Sequence, residues 1–217
     1  MFENCYAGAM MSLQGSLLDL AEAPRFGRLG DTVQRTSLTL GAWVDHRPGW
    51  LAGSDALFDE LVEGVPWHAE RRQMYDREVD VPRLTKFYGS GEQLPHPMLD
   101  EARDRLNAHY QGELGEPLTS AGLCLYRSGA DSVAWHGDTI GRGSTEDTMV
   151  AIVSIGDART LALRPRGGST AHRFALGHGD LVVMGGSCQR TWEHAIPKTA
   201  QHVGPRISIQ FRPKGVR

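Results

Sequence analysis

Arg206-Ile207-Ser208-Ile209-Gln210-Phe211-Arg212 alternates without a break. Successive side chains of a β-strand point to opposite faces. Ile207, Ile209 and Phe211 therefore share one face, and Arg206, Ser208, Gln210 and Arg212 share the other. Two arginines on one strand face, with apolar residues behind, make a fixed fork for a carboxylate. Upstream, short apolar runs recur at 123–126, 149–155, 160–163, 172–176, 181–184 and 190–192, separated by Gly, Asp and Pro. Each is too short for a typical helix, and many short strands between turn signals indicate an all-β sandwich or barrel.

Ahead of this region the periods change. Thr36-Ser37-Leu38-Thr39-Leu40 alternates as a half-buried strand. Ser54 opens a helix with Leu57, Phe58, Leu61 and Val62 on one face, ending near Gly64. Residues 82–88 read as extended. Pro97 begins a second helix, with Met98, Leu99, Ala102, Leu106 and His109 spaced for one buried stripe. Residues 1–30, rich in Gly, Ala and Ser, read as a flexible, loosely docked arm with one short helix near 11–20. Residues 31–217 read as a single domain.

The 217 residues suffice for one full domain, with 40% hydrophobic and 23% charged residues. The formal charge of −3 gives no global argument for a polyanionic partner, although a local basic patch can hide in it. Cys5, Cys124 and Cys188 are odd in number and in no CxxC pair, which argues against a disulfide framework or a cysteine zinc site. They fit a reducing cytoplasm. No apolar run approaches a membrane span, and the N-terminus lacks the pattern of a signal peptide. A cytoplasmic monomer is expected.

The tripeptide His-Gly-Asp occurs twice, at 136–138 and 178–180. On a strand, His-x-Asp sets an imidazole beside a carboxylate, a ready pair of metal ligands. With a second histidine from a distant strand it forms the two-histidine, one-carboxylate face of non-haem Fe(II) oxygenases. His136 and Asp138 end the run Val133-Ala134-Trp135, and His194 follows on a later segment. An Fe(II) oxygenase that uses a 2-oxo-dicarboxylic acid needs an arginine fork as well, which Arg206 and Arg212 offer. The second copy lies in Gly177-His178-Gly179-Asp180-Leu181-Val182-Val183-Met184, the pattern of a turn feeding a buried strand. His46, His68, His96, His109, His172 and His202 lack a partner at ligand spacing. No phosphate loop, dinucleotide fingerprint or nucleophile elbow is present.

In order, four blocks resemble the AlkB-like Fe(II)/2-oxoglutarate dioxygenases. They are Pro82-Arg83-Leu84-Thr85 with Tyr88-Gly89; Leu125-Tyr126-Arg127, Asp131-Ser132-Val133 and Trp135-His136-Gly137-Asp138; Gly179 to Met184 with Gln189-Arg190, Trp192, His194 and Pro197-Lys198; and Gly204-Pro205-Arg206 with Phe211-Arg212. The resemblance implies a double-stranded β-helix, or jelly roll, mainly β with helices supporting one sheet. It implies His136, Asp138 and His194 as ligands of a catalytic Fe(II), with 2-oxoglutarate and O2 as co-substrates. Arg206 and Tyr126 would bind 2-oxoglutarate, Arg212 would contact its keto-acid end, and Ser208 would line the same cradle. The implied reaction is oxidative demethylation of alkylated nucleobases in DNA or RNA, an alkylation repair.

The departures bear on the substrate. Cys124 and Ser208 stand where the family usually has Asn, and both make weaker or shorter hydrogen bonds. Ile140 stands where nucleic-acid demethylases of the family carry an acidic residue that contacts the flipped base. The family's base-stacking aromatic stretch is replaced by Ser90-Gly91-Glu92-Gln93-Leu94-Pro95. Ile140, Arg83 and Tyr75, the last beside Met74 where some members carry a duplex-probing hairpin, are the candidate substrate contacts. Two further readings stay open: the same chemistry on a protein side chain or small molecule, and a degenerate jelly-roll binding module.

Overall fold

The computed structural model describes residues 23–74 and 77–216. The short helix expected near 11–20 and the candidate contact Tyr75 lie outside the described residues. The elements run in the order β1 (Arg25–Phe26), β2 (Gln34–Ser37), β3 (Ala42–Arg47), β4 (Leu51–Ala52), α1 (Asp55–Gly64), β5 (His68–Met74), β6 (Arg77–Tyr88), α2 (Pro97–Leu114), β7 (Leu118–Tyr126) and β8 (Val133–His136). They continue with β9 (Val150–Gly156), β10 (Arg159–Pro165), β11 (His172–Leu176), β12 (Asp180–Gly186), α3 (Cys188–Thr191), β13 (Trp192–Ile196) and β14 (Arg206–Pro213). No helix among the described residues is long and apolar enough to cross a membrane.

Two sheets carry the architecture. An eight-stranded sheet has the order β2-β3-β12-β9-β14-β7-β6-β5, and a four-stranded sheet the order β11-β10-β13-β8. The alternation of each central strand feeds two cores. Leu123, Leu125, Val153, Val183, Ile207, Ile209 and Phe211 bury the outer face under α1 and α2. Cys124, Tyr126, Ile152, Val182 and Met184 turn inward, where they meet Leu161, Leu163, Trp192 and Ile196 of the smaller sheet. This is the jelly roll expected, with both helices backing one sheet. Strand β14 sits centrally, paired with β9 on one side and β7 on the other, so its polar face looks into the space between the sheets.

Four local expectations are corrected. The arm is docked from Arg25 onward: β1 pairs with β4, and Phe26 packs on Trp50 with ring centroids 4.6 Å apart. The stripe on α2 ends at Tyr110, which is buried, while His109 is exposed. At 3.6 residues per turn Tyr110 lies about 20° from Leu99 around the helix and His109 about 80° away. The Tyr110 hydroxyl also donates to Asp45 Oδ2 at 2.9 Å, and Asp45 takes both Nε (2.7 Å) and Nη2 (2.8 Å) of Arg35. Strand β2 stops at Ser37, and Leu40 adopts a left-handed φ of 62° in the turn before β3. That conformation costs about 1–2 kcal/mol for a non-glycine residue. The turn is held by Ser187 Oγ on Leu40 O (2.6 Å) and Trp192 Nε1 on Thr39 O (3.3 Å). Finally, only Trp192 of the run 190–192 is strand, the first residue of β13; residues 190 and 191 end α3. The helical turn, stapled by Thr191 Oγ1 donating to Ser187 O at 2.9 Å, carries the chain from one sheet to the other.

Leu106 is fully buried between α2 and the large sheet. Leu106→Ala should cost about 2–5 kcal/mol in urea unfolding, whereas His109→Ala should stay within about 0.5 kcal/mol of the parent protein.

Candidate active site

Strands β8 and β13 pair antiparallel with His136 directly across from His194. The two rings consequently lie 4.2 Å apart, centroid to centroid. The chain leaves β8 at His136, and Asp138 comes back onto the same spot. One ligating atom from each of His136, Asp138 and His194 falls within 4.8 Å of the other two. Gly137 is required by packing rather than by its φ: a Cβ there would collide with the carbonyl oxygen of Gln189. The turn is thus pressed against α3, and Gln189 Oε1 accepts the Asp138 backbone N–H at 2.9 Å.

Hydrogen bonds orient the ligand atoms. His136 Nδ1–H donates to Ala134 O at 2.8 Å, which leaves the Nε2 lone pair free on the side of Asp138 Oδ1, 3.8 Å away. Arg212 Nε donates to Asp138 Oδ2 at 2.7 Å. Burial alone would raise the Asp138 carboxyl, but Arg212, His194 and His136 outweigh it and hold the group down at about 2. Burial, then His136, pushes His194 down to about 3. At neutral pH the set is one carboxylate with a neutral His194, the protonation states that metal ligation needs.

The inner face of β14 continues the site. Arg212 Nη2 donates to Gln210 Oε1, and Gln210 Nε2 donates to Ser208 Oγ at 3.2 Å and reaches Cys124 Sγ at 3.7 Å. Arg206 is 1% exposed, its Nε donates to Ser154 Oγ at 2.8 Å, and its Cζ lies 5.3 Å from the Tyr126 ring centroid. Arg206 Nη1 is buried with no hydrogen-bond partner among the described residues. Arg159 Cζ lies 5.6 Å from the same Tyr126 ring centroid, and its guanidinium spends donors on the carbonyls of Ser128, Asp131 and Pro197. Burial first, then Cys124, pushes the Tyr126 phenol up to about 12, so it stays a neutral donor.

These features fit the groups that the sequence implies. Two imidazoles and a carboxylate with open positions suit Fe(II). A buried guanidinium with an unused N–H suits the carboxylate of a 2-oxo acid, because an unpaired buried cation is costly. Of the remaining candidates, Ile140 is 72% exposed two residues beyond Asp138. Arg83 Nη1 donates to Ser132 O at 3.2 Å, on the segment that enters β8, and its Nε is buried with no hydrogen-bond partner among the described residues. Ser154, Gln210 as a link and Gln189 as an anchor are site residues that the sequence motifs do not single out. A lone polar residue inside Val150-Ala151-Ile152-Val153-Ser154-Ile155 was the available signal for the first.

The second His-Gly-Asp copy is a turn. Gly179 has a φ of 79° and no room for a Cβ against Leu51 O. Asp180 accepts the backbone N–H of Gly49 and of Gly177, each at 2.7 Å. His178 Nδ1 accepts the Gly156 N–H at 2.9 Å, so its Nε2–H faces Ser54 Oγ at 2.6 Å.

A family model described as the 2OG-Fe(II) oxygenase superfamily matches residues 52–212. The human alpha-ketoglutarate-dependent dioxygenase alkB homolog 3 is 29% identical over 185 residues, 73% of this chain and 61% of that protein. The human DNA oxidative demethylase ALKBH2 is 28% identical over 181 residues, 74% of this chain and 69% of that protein. The chain therefore spans less than two thirds of the length of alkB homolog 3. The solved structure of OsALKBH1 superposes with a TM-score of 0.58 over 83% of this chain and 100% of that one, at 14% identity, a likeness of fold. The chain belongs to the 2OG-Fe(II) oxygenase superfamily and is AlkB-like within it.

His136→Ala should abolish Fe(II) or Mn(II) binding in a metal titration, while Asp180→Asn should keep it. Burial would raise the Asp180 carboxyl, but the His46 ring, with Nε2 3.6 Å from Oδ2, and hydrogen bonds from the Gly49 and Gly177 N–H groups lower it below its ordinary value of 3.8. Its stabilisation is therefore present above that value and lost as pH falls through the folded one. Urea midpoints measured between pH 7 and pH 3 should fall less steeply for Asp180→Asn than for the parent protein.

Proposed function

We propose that this protein is an Fe(II)/2-oxoglutarate-dependent dioxygenase that oxidatively demethylates alkylated nucleobases in DNA or RNA. The observation that carries the reading is one inner face holding both halves of the required site: the His136, Asp138, His194 cluster and the buried Arg206 with an unused donor. The names of the alkB homolog 3 and ALKBH2 relatives support the reaction class.

His136, Asp138 and His194 would hold the iron. Arg206, beside Ser154 and Tyr126, would hold the distal carboxylate of 2-oxoglutarate, and the Gln210–Ser208 pair would line the cradle. Arg212 keeps Asp138 ionised and aimed, and it contributes positive charge near the keto-acid end. When bound, the iron and its two co-substrates supply the oxidation: 2-oxoglutarate and O2 become succinate and CO2, and a substrate N-methyl group becomes N-hydroxymethyl, which releases formaldehyde. The chain's own task is to exclude water, hold the co-substrate and present the methyl group. A base in a duplex would be flipped out, or the strand would be single.

Ile140 favours a second reading. Its exposed apolar side chain offers no hydrogen bond to an exocyclic amine, which suits a different substrate for the same chemistry, such as a protein side chain or small molecule.

Anaerobic loading with Fe(II) and 2-oxoglutarate, followed by O2, separates these readings. Succinate and formaldehyde in equal amounts, dependent on methylated oligonucleotide, is the expected result. Succinate that methylated DNA and RNA neither stimulate nor couple to formaldehyde would favour the second reading, and no succinate with no metal bound would overturn both. Arg206→Met should weaken anaerobic 2-oxoglutarate binding roughly 10–100-fold, the loss of a charged hydrogen bond, with metal affinity unchanged.

A further inference from the structure

Gln189 is a motif position with no role so far beyond its contact with the ligand turn. It lies in α3, is 1% exposed, and its Oε1 accepts the Asp138 N–H at 2.9 Å. That bond decides which end of the amide is oxygen, since an NH2 group cannot face a backbone N–H. The NH2 end therefore stands on the other arm, and Nε2 is buried with no hydrogen-bond partner among the described residues. From the carbonyl and C–N bond lengths, the two amide heteroatoms lie about 2.2 Å apart. The spare donor is consequently within about 5 Å of the Asp138 nitrogen, next to a residue of the candidate metal cluster.

Two oxygens of these residues already accept elsewhere: Asp138 Oδ2 takes Arg212 Nε at 2.7 Å, and the Gln189 carbonyl oxygen takes Arg166 Nη2 at 3.4 Å. A buried N–H pair without an acceptor is costly, and such a group in a native chain calls for an explanation such as a bound molecule. The neighbouring Cys188 thiol is no competitor. Burial, then Asp138, pushes it up to about 12, so it stays protonated.

We infer that Gln189 is a positioning residue of the metal face: its carbonyl fixes the backbone of Asp138, and its amide N–H donates to an oxygen atom of the molecule that completes the metal's coordination. This rests on reading His136, Asp138 and His194 as a metal site. The acceptor oxygen belongs either to water or to the carboxylate of the 2-oxo acid. Both present the same chemistry to the amide.

The test uses Mn(II) as the probe and the full chain. Gln189→Met removes acceptor and donor, while Gln189→Glu keeps an acceptor for the Asp138 N–H and removes the NH2. Gln189→Met should weaken Mn(II) binding about 10–100-fold, the usual effect of losing a group that orients a ligand. Gln189→Glu should recover most of that affinity yet change the Mn(II) electron paramagnetic resonance spectrum. A change seen with Mn(II) alone identifies water as the acceptor, and one seen only with 2-oxoglutarate added identifies the co-substrate. Should Gln189→Met fail to fold, the Gln189→Glu spectra alone decide. A Gln189→Met protein that melts lower but binds Mn(II) within twofold of the parent would overturn the proposal. So would Gln189→Glu spectra that superpose on the parent's in both states. A parent protein that binds no more Mn(II) than His136→Ala would instead overturn the metal site, and the proposal with it.

Discussion

The contact of Arg212 with Asp138, 2.7 Å from Nε to Oδ2, joins the two sheets at the one place where chemistry is proposed. Asp138 is buried, and a buried carboxylate ionises only if cations or donors compensate its desolvation. Arg212 comes from the inner face of β14 in the large sheet, while His136 and His194 come from paired strands of the small one. Any relative slip of the sheets would break the bond and leave both charges buried. A slip of β14 by one residue would be worse, because it would exchange Arg206, Ser208, Gln210 and Arg212 for Ile207, Ile209 and Phe211. The apolar burial of those three residues under α1 and α2 therefore fixes where the arginines point. Packing on the outside of the large sheet sets electrostatics on the inside.

Legibility from sequence followed this division. The alternation of β14 was readable because one face is wholly apolar and the other wholly polar, and the structure places every one of its residues accordingly. Helix α1 was readable from Ser54 and the apolar spacing, and the structure begins it at Asp55. Where reading failed, a long-range contact outweighed a local pattern. Thr36 to Leu40 alternates like a strand, but Ser187 and Trp192 capture the carbonyls of Leu40 and Thr39 and turn the chain. Residues 190 and 191 look like part of the strand that Trp192 begins, but the crossing between sheets needs a helical turn there. His109 fits a three-residue step from Leu106, yet it is Tyr110 that faces the sheet and reaches Asp45.

The site was legible to the extent that its ligands are chemically unusual together. His-Gly-Asp by itself carried no decision, since both copies share it. The difference lies in what the glycine is for. Gly137 makes room for Gln189 against the turn, whereas Gly179 supplies a left-handed backbone and clears Leu51. Asp180 then spends its oxygens on two backbone N–H groups, while Asp138 keeps an oxygen facing a histidine. Neutral partners such as Ser154 and Gln189 were harder to see, because a buried Ser or Gln announces itself only when its partner is known.

The charge of the inner face also constrains what can bind. Arg206 and Arg159 lie beside Tyr126 and Arg212 beside Asp138, and Asp131, a carboxylate near Arg159, is already paired with Arg127 at 2.8 Å. Burial lowers the proton affinity of Arg206 and Arg159, the sign of cations that lack a full counter-charge. A divalent metal at His136, Asp138 and His194 would consume the charge of Asp138 and deepen the excess. A neutral or singly charged organic ligand would leave that excess in place. A dicarboxylate spanning from the metal to Arg206 offsets it at both ends, so metal and co-substrate each lower the cost of binding the other. Their affinities would be coupled through the desolvated Arg206, which the alternation of β14 turns inward.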